Sequence, residues 1–508
     1  MNTLKRSVAS LATLSLLIVF SLTGCDTVAL DKEQPEQSVS PEAATGSERA
    51  IEALLNNTYD RLQGAGRYGQ FFMLVPDALA DNTQLSPTAN SNRYLGYTSN
   101  TQGQHLNNWG NSYGGINEAN LVLANIVDLN IQLPEENEAA FRNRIRGQAL
   151  FMRSLEYFDL IRTKAYEPGQ EVAPGDIVPA GADVPSGWTP QTGVVIRTEP
   201  TDNIDKADPL PRSTTAEVYE LLETDLTEAA SLLEQAEESG TPQGATEAPV
   251  RVSSAAAHGL LARVYLYQGK WAEAEASASA AITAANGFGI AIASGTSETG
   301  WDAGSIFRLT MTQGQNATGS TSSLRGLTDE TSPSLAFEVI PSEDLVSLFE
   351  PSDTRNALLQ EATRSGQTFT YARKYIGKVG TYADPIPVMR IEEMYLIRAE
   401  ARAEQGNIQS GLSDLNEIRT NRGIDAIAFG TGADEVDTTA ELVDEVYEER
   451  RRELFLEGHR FFDLKRRGLD IPKPQSGSVI EYEDFRILAQ LPPVQVQTND
   501  LLVQNPGY

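Results

Sequence analysis

The sequence predicts a mostly helical protein made of helix pairs and interrupted by long loop insertions. Apolar side chains recur at helical spacing along much of the chain. One segment, residues 254–285, reads as two helices joined at a glycine. Two stretches, residues 165–210 and 286–385, are instead rich in Gly, Pro, Ser and Thr, which is typical of loops. Because long loops on a scaffold often carry binding, we expect the insertions to matter for function.

Residues 1–24 are interpreted as a bacterial lipoprotein signal peptide. Lys5 and Arg6 precede a mostly apolar run over residues 11–22, and small residues stand directly before Cys25, the only cysteine. The run is shorter than the roughly 20 residues that a transmembrane helix needs. We expect cleavage before Cys25 and lipidation of Cys25, which palmitate incorporation would report. Two or more acyl chains anchor a protein stably to a membrane. The alternative is a secreted protein with a chance cysteine.

The elements that follow are predicted in order from local signals. Residues 25–46 are polar and lack an apolar period, which predicts a flexible tether. Ser47 is a plausible N-cap for a helix that continues to Leu62. Glycines over residues 64–69 match a dinucleotide-binding pattern, but a helix precedes them where a strand is required, so they are interpreted as a helix stop. Residues 68–104 read as an elaborate loop.

Helical periodicity then returns in several segments, predicted over residues 109–126, 145–161, 216–233 and 254–285. In the last segment, small residues flank Gly269 and Trp271 at spacings that resemble a tetratricopeptide unit. A second, weaker unit has Tyr395 and Gly406 at matching offsets. The two turn glycines are far apart, so the sequence predicts scattered helix pairs rather than a tandem array.

Charge and motif content argue against several classes of function. The formal net charge of -30 repels a phosphate backbone, so no nucleic-acid partner is expected. Neither Gly269-Lys270 nor Gly377-Lys378 continues into Ser or Thr, so there is no P-loop. The three histidines are too far apart to form a close metal-ligand pair. We therefore expect no cofactor and no metal.

Seven motifs in order carry a resemblance to a known family. The first is the spacing of Trp109, Tyr113, Ile116 and Asn120, and the most recognisable is the segment from Gly147 to Leu160. The others fall in residues 217–226, 251–266, 389–400, 449–464 and 504–508. Together they resemble the SusD/RagB family of outer-membrane nutrient-binding lipoproteins. The resemblance covers nearly the whole chain after residue 25.

The resemblance implies a mostly α, SusD-like helical fold with tetratricopeptide-like helix pairs and long loop insertions. It also implies a lipid anchor in the outer membrane, facing outside, and the capture of an oligosaccharide or similar nutrient, with peptide cargo left open. The partner it implies is a SusC-like TonB-dependent transporter, and the protein would bind rather than catalyse. A lipid-anchored glycoside hydrolase and a helical-repeat protein-interaction scaffold remain as alternatives.

The resulting domain prediction is one binding domain over residues 47–508. It divides into a helical N-terminal part to about residue 285, a loop-rich insertion over 286–385 and a C-terminal part over 386–508.

Candidate ligand-binding residues follow from the chemistry of sugars, whose C–H faces stack on aromatic rings while their hydroxyls bond polar groups. They lie in the predicted loop after residue 67 and in the two insertions, and are Tyr68, Phe71, Phe72, Arg93, Tyr94, Tyr97, Trp188, Trp301 and Arg325. Local loop packing is the alternative explanation for each aromatic residue. Trp109 and Trp271 are assigned to the scaffold, and Arg153 with Glu156 to a structural ion pair.

Overall fold

The computed structural model describes most of the chain after residue 44, with short gaps. The described ranges are residues 45–89, 91–101, 103–170, 172–173, 177–179, 183–201, 207–293, 300–314, 318–332, 337–432 and 435–508. The predictions for the signal peptide, Cys25 and nearly all of the tether lie outside these ranges. Within them, no helix combines the length and the apolar character needed to cross a membrane.

The described residues contain fifteen α-helices. In chain order they are α1 Glu48–Leu62, α2 Phe71–Leu79, α3 Leu95–Ser99, α4 Trp109–Ile126, α5 Glu135–Lys164, α6 Thr215–Glu238, α7 Ser254–Gln268, α8 Trp271–Gly287, α9 Leu324–Thr328, α10 Glu343–Ser347, α11 Ile391–Glu404, α12 Ile408–Asn421, α13 Thr439–Glu453, α14 Arg460–Arg466 and α15 Pro493–Thr498. The predicted mostly helical fold is therefore confirmed.

The strands of the described residues are short and form two-stranded pairs. They are β1 Thr83–Leu85, β2 Ser305–Leu309, β3 Val339–Pro341, β4 Leu359–Arg364, β5 Gln367–Ala372, β6 Ile386–Arg390, β7 Ala428–Phe429, β8 Glu435–Val436, β9 Ile471–Lys473 and β10 Ser478–Ile480. The antiparallel pairs are β1 with β3, β2 with β6, β4 with β5 and β9 with β10. The pair of β7 with β8 is parallel.

Local sequence signals account for the starts and turns of the main helices. The Ser47 hydroxyl accepts a hydrogen bond from the amide of Ala50 at 3.2 Å, as the N-cap prediction required. Thr214 and Glu217 form a reciprocal capping box at the start of α6. Gly269 ends α7 in the left-handed conformation, with a φ of +66°, which glycine adopts without steric cost.

The predicted long loop over residues 68–104 is wrong in part, because α2 lies within it. This helix is short, buries eight of its nine residues and contains Pro76, a residue that normally ends or kinks a helix, so the segment did not read as helical. Helix α5 is also longer than predicted, beginning at Glu135. Its first three turns carry many charged side chains, which hid the helical period there.

The principal helices pack in sequence order from α4 through α5, α6, α7 and α8. Helix α11 then packs on α8, although a long insertion separates these two helices in the chain, and α12 packs on α11. Glu275 of α8 accepts a hydrogen bond from Arg402 of α11 at 2.8 Å. The two predicted helix pairs are thus neighbours in space, and their likeness to tetratricopeptide units stays a prediction.

Helix α5 lies at the centre, and its residues 147–164 are all buried. Arg153 and Glu156 each pair with a residue outside α5. Arg153 donates two hydrogen bonds to Asp225 of α6, each at 2.8 Å, while Glu156 contacts Arg67 at 2.6 Å. The predicted pair of Arg153 with Glu156 is therefore wrong in its partner, because burial of α5 brings charged residues of other segments within reach.

Candidate functional site

Three segments meet on one surface, called here the loop face: residues 91–99, 318–325 and 377–382. The first comes from the predicted loop after residue 67, and the other two come from the predicted insertion over residues 286–385. The exposed Arg93 donates a hydrogen bond to the carbonyl oxygen of Thr321. Arg325 donates to the carbonyl oxygen of Thr381 at 2.9 Å and contacts Asp329 at 3.2 Å. Both predicted arginines therefore bridge neighbouring loops of this face.

The turn over residues 376–384 is fixed by a single carboxylate. Asp384 accepts hydrogen bonds from the amides of Ile376, Gly377 and Lys378 at 2.9–3.1 Å. Burial raises the pKa of Asp384, and these donors oppose the shift. Gly377 has a φ of +80°, and a Cβ there would lie 2.7 Å from Nη1 of Arg325, so glycine is required for this approach.

Aromatic rings border the loop face beside Arg93. Tyr97 is partly exposed and packs against Tyr94, with ring centroids 5.7 Å apart, and against the partly exposed Phe71 at 6.4 Å. Tyr94 itself is buried, and its hydroxyl accepts a hydrogen bond from Gln70 at 2.9 Å. Tyr97 and Phe71 are thus the predicted aromatic residues that keep solvent-accessible surface here.

Other predicted aromatic residues are held inside the protein. The rings of Tyr68 and Phe72 stack with centroids 5.4 Å apart, and the Tyr68 hydroxyl donates to Asp159 at 3.1 Å. Trp188 and Trp301 are 5% and 3% exposed. Contact between a ligand and these rings would require the surrounding chain to open. The prediction that each of the nine residues contacts a ligand stays a prediction.

Trp301 covers a buried network of ion pairs. Its indole N–H donates to the carbonyl oxygen of Lys374 at 2.7 Å, and the Lys374 ammonium lies 4.7 Å from the ring centroid. Below it, Glu453 accepts hydrogen bonds from Arg390 and Arg422, both at 2.8 Å. Burial alone would raise the pKa of Glu453, but Arg422 and Arg390 hold it well below its usual range. Such fixed, paired carboxylates serve structure rather than proton transfer.

Two features of the surface escaped the sequence analysis. Tyr382 is partly exposed at the tip of the turn beside Thr381, inside an insertion recognised only by its loop composition. A cleft of about 430 Å³ lies elsewhere, along the N-terminal half of α4, and Trp109 and Tyr113 line it. Gly110, next to Trp109 at the start of the predicted helix, was the available signal, because a glycine on a helix face can leave open space.

The histidines and acidic residues do not form a metal centre in the described part of the chain, where no cluster of three His, Cys, Asp or Glu side chains is placed to hold an ion. His258 bonds Glu234 at 2.7 Å, whereas His105 packs against Phe461 with ring centroids 4.9 Å apart. Burial lowers the pKa of His105 and of His459 well below the ordinary value, which favours their neutral forms.

Comparison with known proteins gives consistent results along the chain. A family model for the SusD family matches residues 343–508, and a SusD-like model described as starch-binding associating with outer membrane matches residues 30–266. The SusD-like protein P2 of Formosa agariphila is 24% identical, over 97% of this chain and 98% of its own length.

Solved structures agree over nearly the same extent. A SusD superfamily protein from Bacteroides thetaiotaomicron is 26% identical, with a TM-score of 0.72 over 91% of this chain and 100% of that chain. One from Bacteroides vulgatus is 25% identical, with a TM-score of 0.73 over 91% and 99%. The family resemblance drawn from the seven motifs is confirmed, and the chain belongs to the SusD/RagB family.

Proposed function

We propose that the protein is an outer-membrane lipoprotein on the cell surface that binds an oligosaccharide at the loop face and passes it to a SusC-like TonB-dependent transporter. The family description of starch binding at the outer membrane supports the ligand class. The observation that carries the site is the pair of loop-bridging arginines, Arg93 and Arg325, beside partly exposed aromatic rings.

The chemistry of this face suits a sugar. The rings of Phe71, Tyr97 and Tyr382 offer apolar surface for C–H faces. Arg93 keeps guanidinium N–H groups in solvent after its bond to Thr321, and these can donate to hydroxyl oxygens. Because the side chains of Arg93 and Arg325 tie the loops together, the groups are held in place before the ligand arrives.

The membrane anchor and the partner follow from the N-terminal sequence and from the family. Lipid chains on Cys25, followed by the tether over residues 26–46, would keep the domain near the outer membrane. A coil of about 20 residues has a typical span near 25 Å. Palmitate incorporation that is lost in Cys25→Ala supports the anchor, and unchanged labelling refutes it. Affinity purification from native outer membranes is expected to retain a TonB-dependent barrel.

Binding is tested by isothermal titration of the detergent-purified lipoprotein with maltohexaose, other neutral glycans and peptides. We expect Arg93→Ala and Tyr97→Ala each to weaken glycan binding at least tenfold. The matched controls are Arg49→Ala and Phe288→Ala, which remove an exposed arginine and an exposed aromatic ring elsewhere. Release of shortened products would instead favour the glycoside hydrolase. Peptide binding without glycan binding would show that the ligand is a peptide and not an oligosaccharide.

A further inference from the structure

The cleft along α4 is separate from the loop face and has the size of a small-molecule site. Its volume of about 430 Å³ falls in the range of roughly 300–1,000 Å³ typical of ligand pockets. One wall is α4, and the facing walls come from residues 195–201, from residues 207–210 and from the C-terminal segment 495–502. We call it the α4 cleft.

The helical wall leaves room for a ligand because Gly110 lies on its surface. A Cβ built on Gly110 would meet no atom within 4 Å, so the space beside this residue is open. The rings of Trp109 and Tyr113 lie next to it, with centroids 4.8 Å apart. The α4 cleft therefore combines an open helix surface with an aromatic base.

The opposite wall is pinned to α4 by hydrogen bonds. The Tyr113 hydroxyl donates to the carbonyl oxygen of Val195 at 2.8 Å. Asn117 accepts from the amide of Thr201 at 2.7 Å, and Asn120 donates to the carbonyl oxygen of Arg197 at 3.0 Å. These contacts span 77–84 residues of sequence and hold the α4 cleft open without a ligand.

The polar side chains that still face solvent in the α4 cleft include both hydrogen-bond acceptors and hydrogen-bond donors. Glu199 and Gln495 are exposed, and their side chains bond no other described residue. Arg197 gives one N–H group to the carbonyl oxygen of Asp208 and keeps others. Acceptors and donors thus stand around an aromatic base, an arrangement that suits hydroxyl groups, because each hydroxyl both donates and accepts.

We propose that the α4 cleft is a second saccharide site, which takes one or two units of a neutral glycan. Its ligand class rests on the proposed function of the protein. Tyr113 and Leu210 are partly exposed and supply apolar surface for the C–H faces of a sugar. The ring of Trp109 is only 6% exposed and packs directly against Tyr113, so it reports on this surface without forming it. Glu199 and Arg197 place one charge of each sign at the site, so a charged sugar would be attracted by one group and repelled by the other.

The net charge of -30 adds a long-range repulsion against uronic or sulfated chains. A second site would raise the apparent affinity for long chains, because a polymer held at one site is presented to the other at high local concentration.

The test uses the detergent-purified lipoprotein, whose four tryptophans are replaced by 5-fluorotryptophan. The fluorine resonance of Trp109 is assigned from the variant Trp109→Phe. Maltohexaose is expected to shift this resonance, and an oligogalacturonide of equal length is not. The variant Gly110→Trp fills the open space on α4 and should weaken the titration at Trp109 at least tenfold.

Gly287→Trp is the matched control, because Gly287 is also an exposed helical glycine whose Cβ would meet nothing within 4 Å. It should leave the titration unchanged. Arg93→Ala, on the loop face, should leave the Trp109 shift in place while weakening overall binding. Glycan binding with no shift at Trp109, or an equal effect of the two glycine variants, overturns the second site and leaves the proposed function standing. A Trp109 shift that survives while Arg93→Ala and Tyr97→Ala change nothing overturns the loop-face site instead.

Discussion

The indole N–H of Trp188 donates a hydrogen bond to the side-chain oxygen of Asn505 at 3.3 Å, although the two residues lie 317 positions apart. Arg212 donates to the same oxygen at 2.8 Å. The Asn505 amide in turn donates to the carbonyl oxygens of Lys164 and Ala489, at 2.9 and 2.7 Å. One buried asparagine therefore ties the C-terminal segment to the end of α5 and to the insertion after it.

We expect Asn505→Ala to lower the free energy of unfolding by about 2–4 kcal/mol, because it leaves buried donors and acceptors without partners. Urea denaturation at pH 7 measures this change. Asn286→Ala removes an exposed asparagine from α8 and should change the free energy by less than about 0.5 kcal/mol. Equal effects of the two substitutions would contradict the role of Asn505.

A second prediction concerns two ion pairs that join the same helices, α5 and α6. Arg153 and Asp225 are buried, with 9% and 5% of their side chains exposed, whereas Arg146 and Glu228 are 33% and 40% exposed. Removing one partner of a buried pair costs about 3–5 kcal/mol, because the other charge stays in the interior.

Double-mutant cycles with Arg153→Met and Asp225→Leu should give a coupling energy above about 2 kcal/mol. The corresponding cycle with Arg146→Met and Glu228→Leu should give below about 1 kcal/mol. Similar coupling energies for the two pairs would show that burial is not what distinguishes them.

Trp301 gives a third prediction. Replacement by Phe removes the hydrogen bond to Lys374 and part of the ring above the Lys374 ammonium. We expect Trp301→Phe to lower the free energy of unfolding by about 2–3 kcal/mol while maltohexaose affinity changes less than about twofold. The control is Trp271→Phe, because Trp271 is partly exposed at the start of α8. It should lower the free energy of unfolding by less than about 1 kcal/mol. Normal stability with lost affinity would instead place Trp301 in a ligand site.

The fourth prediction is a pH dependence. Burial, and then the nearby Arg212, lower the pKa of Lys164 from 10.5 to about 7. Between these values the unfolded chain binds a proton that the folded chain does not, so the free energy of unfolding should rise with pH by up to about 1.4 kcal/mol per unit. The corresponding stability is lost as the pH falls toward 7. Urea denaturation at pH 7, 8 and 9 measures the free energy of unfolding at each pH. This free energy should rise less steeply with pH for Lys164→Met than for the wild type.

Lys270→Met is the control, because the Lys270 side chain is 41% exposed where it meets Glu223. Its slope should match that of the wild type. Parallel slopes for wild type and Lys164→Met would show that the ammonium is not desolvated in the folded chain.

The sequence by itself determined the helical class and the positions of several helices. Apolar period and capping are local properties, so Ser47 and Gly269 already marked helix boundaries. The family was also determined by sequence, because its motifs lie on buried helices such as α5, where packing restricts the choice of residue.

Only the tertiary structure decided which side chains meet. The pairing of Arg153 with Asp225, the stacking of the two helix pairs, and the burial of Trp188 and Trp301 depend on contacts between distant segments. An aromatic residue in a loop has the same local sequence signal whether it faces solvent or the core. What separates Tyr97 from Trp301 is therefore the surface that the rest of the chain places against each ring.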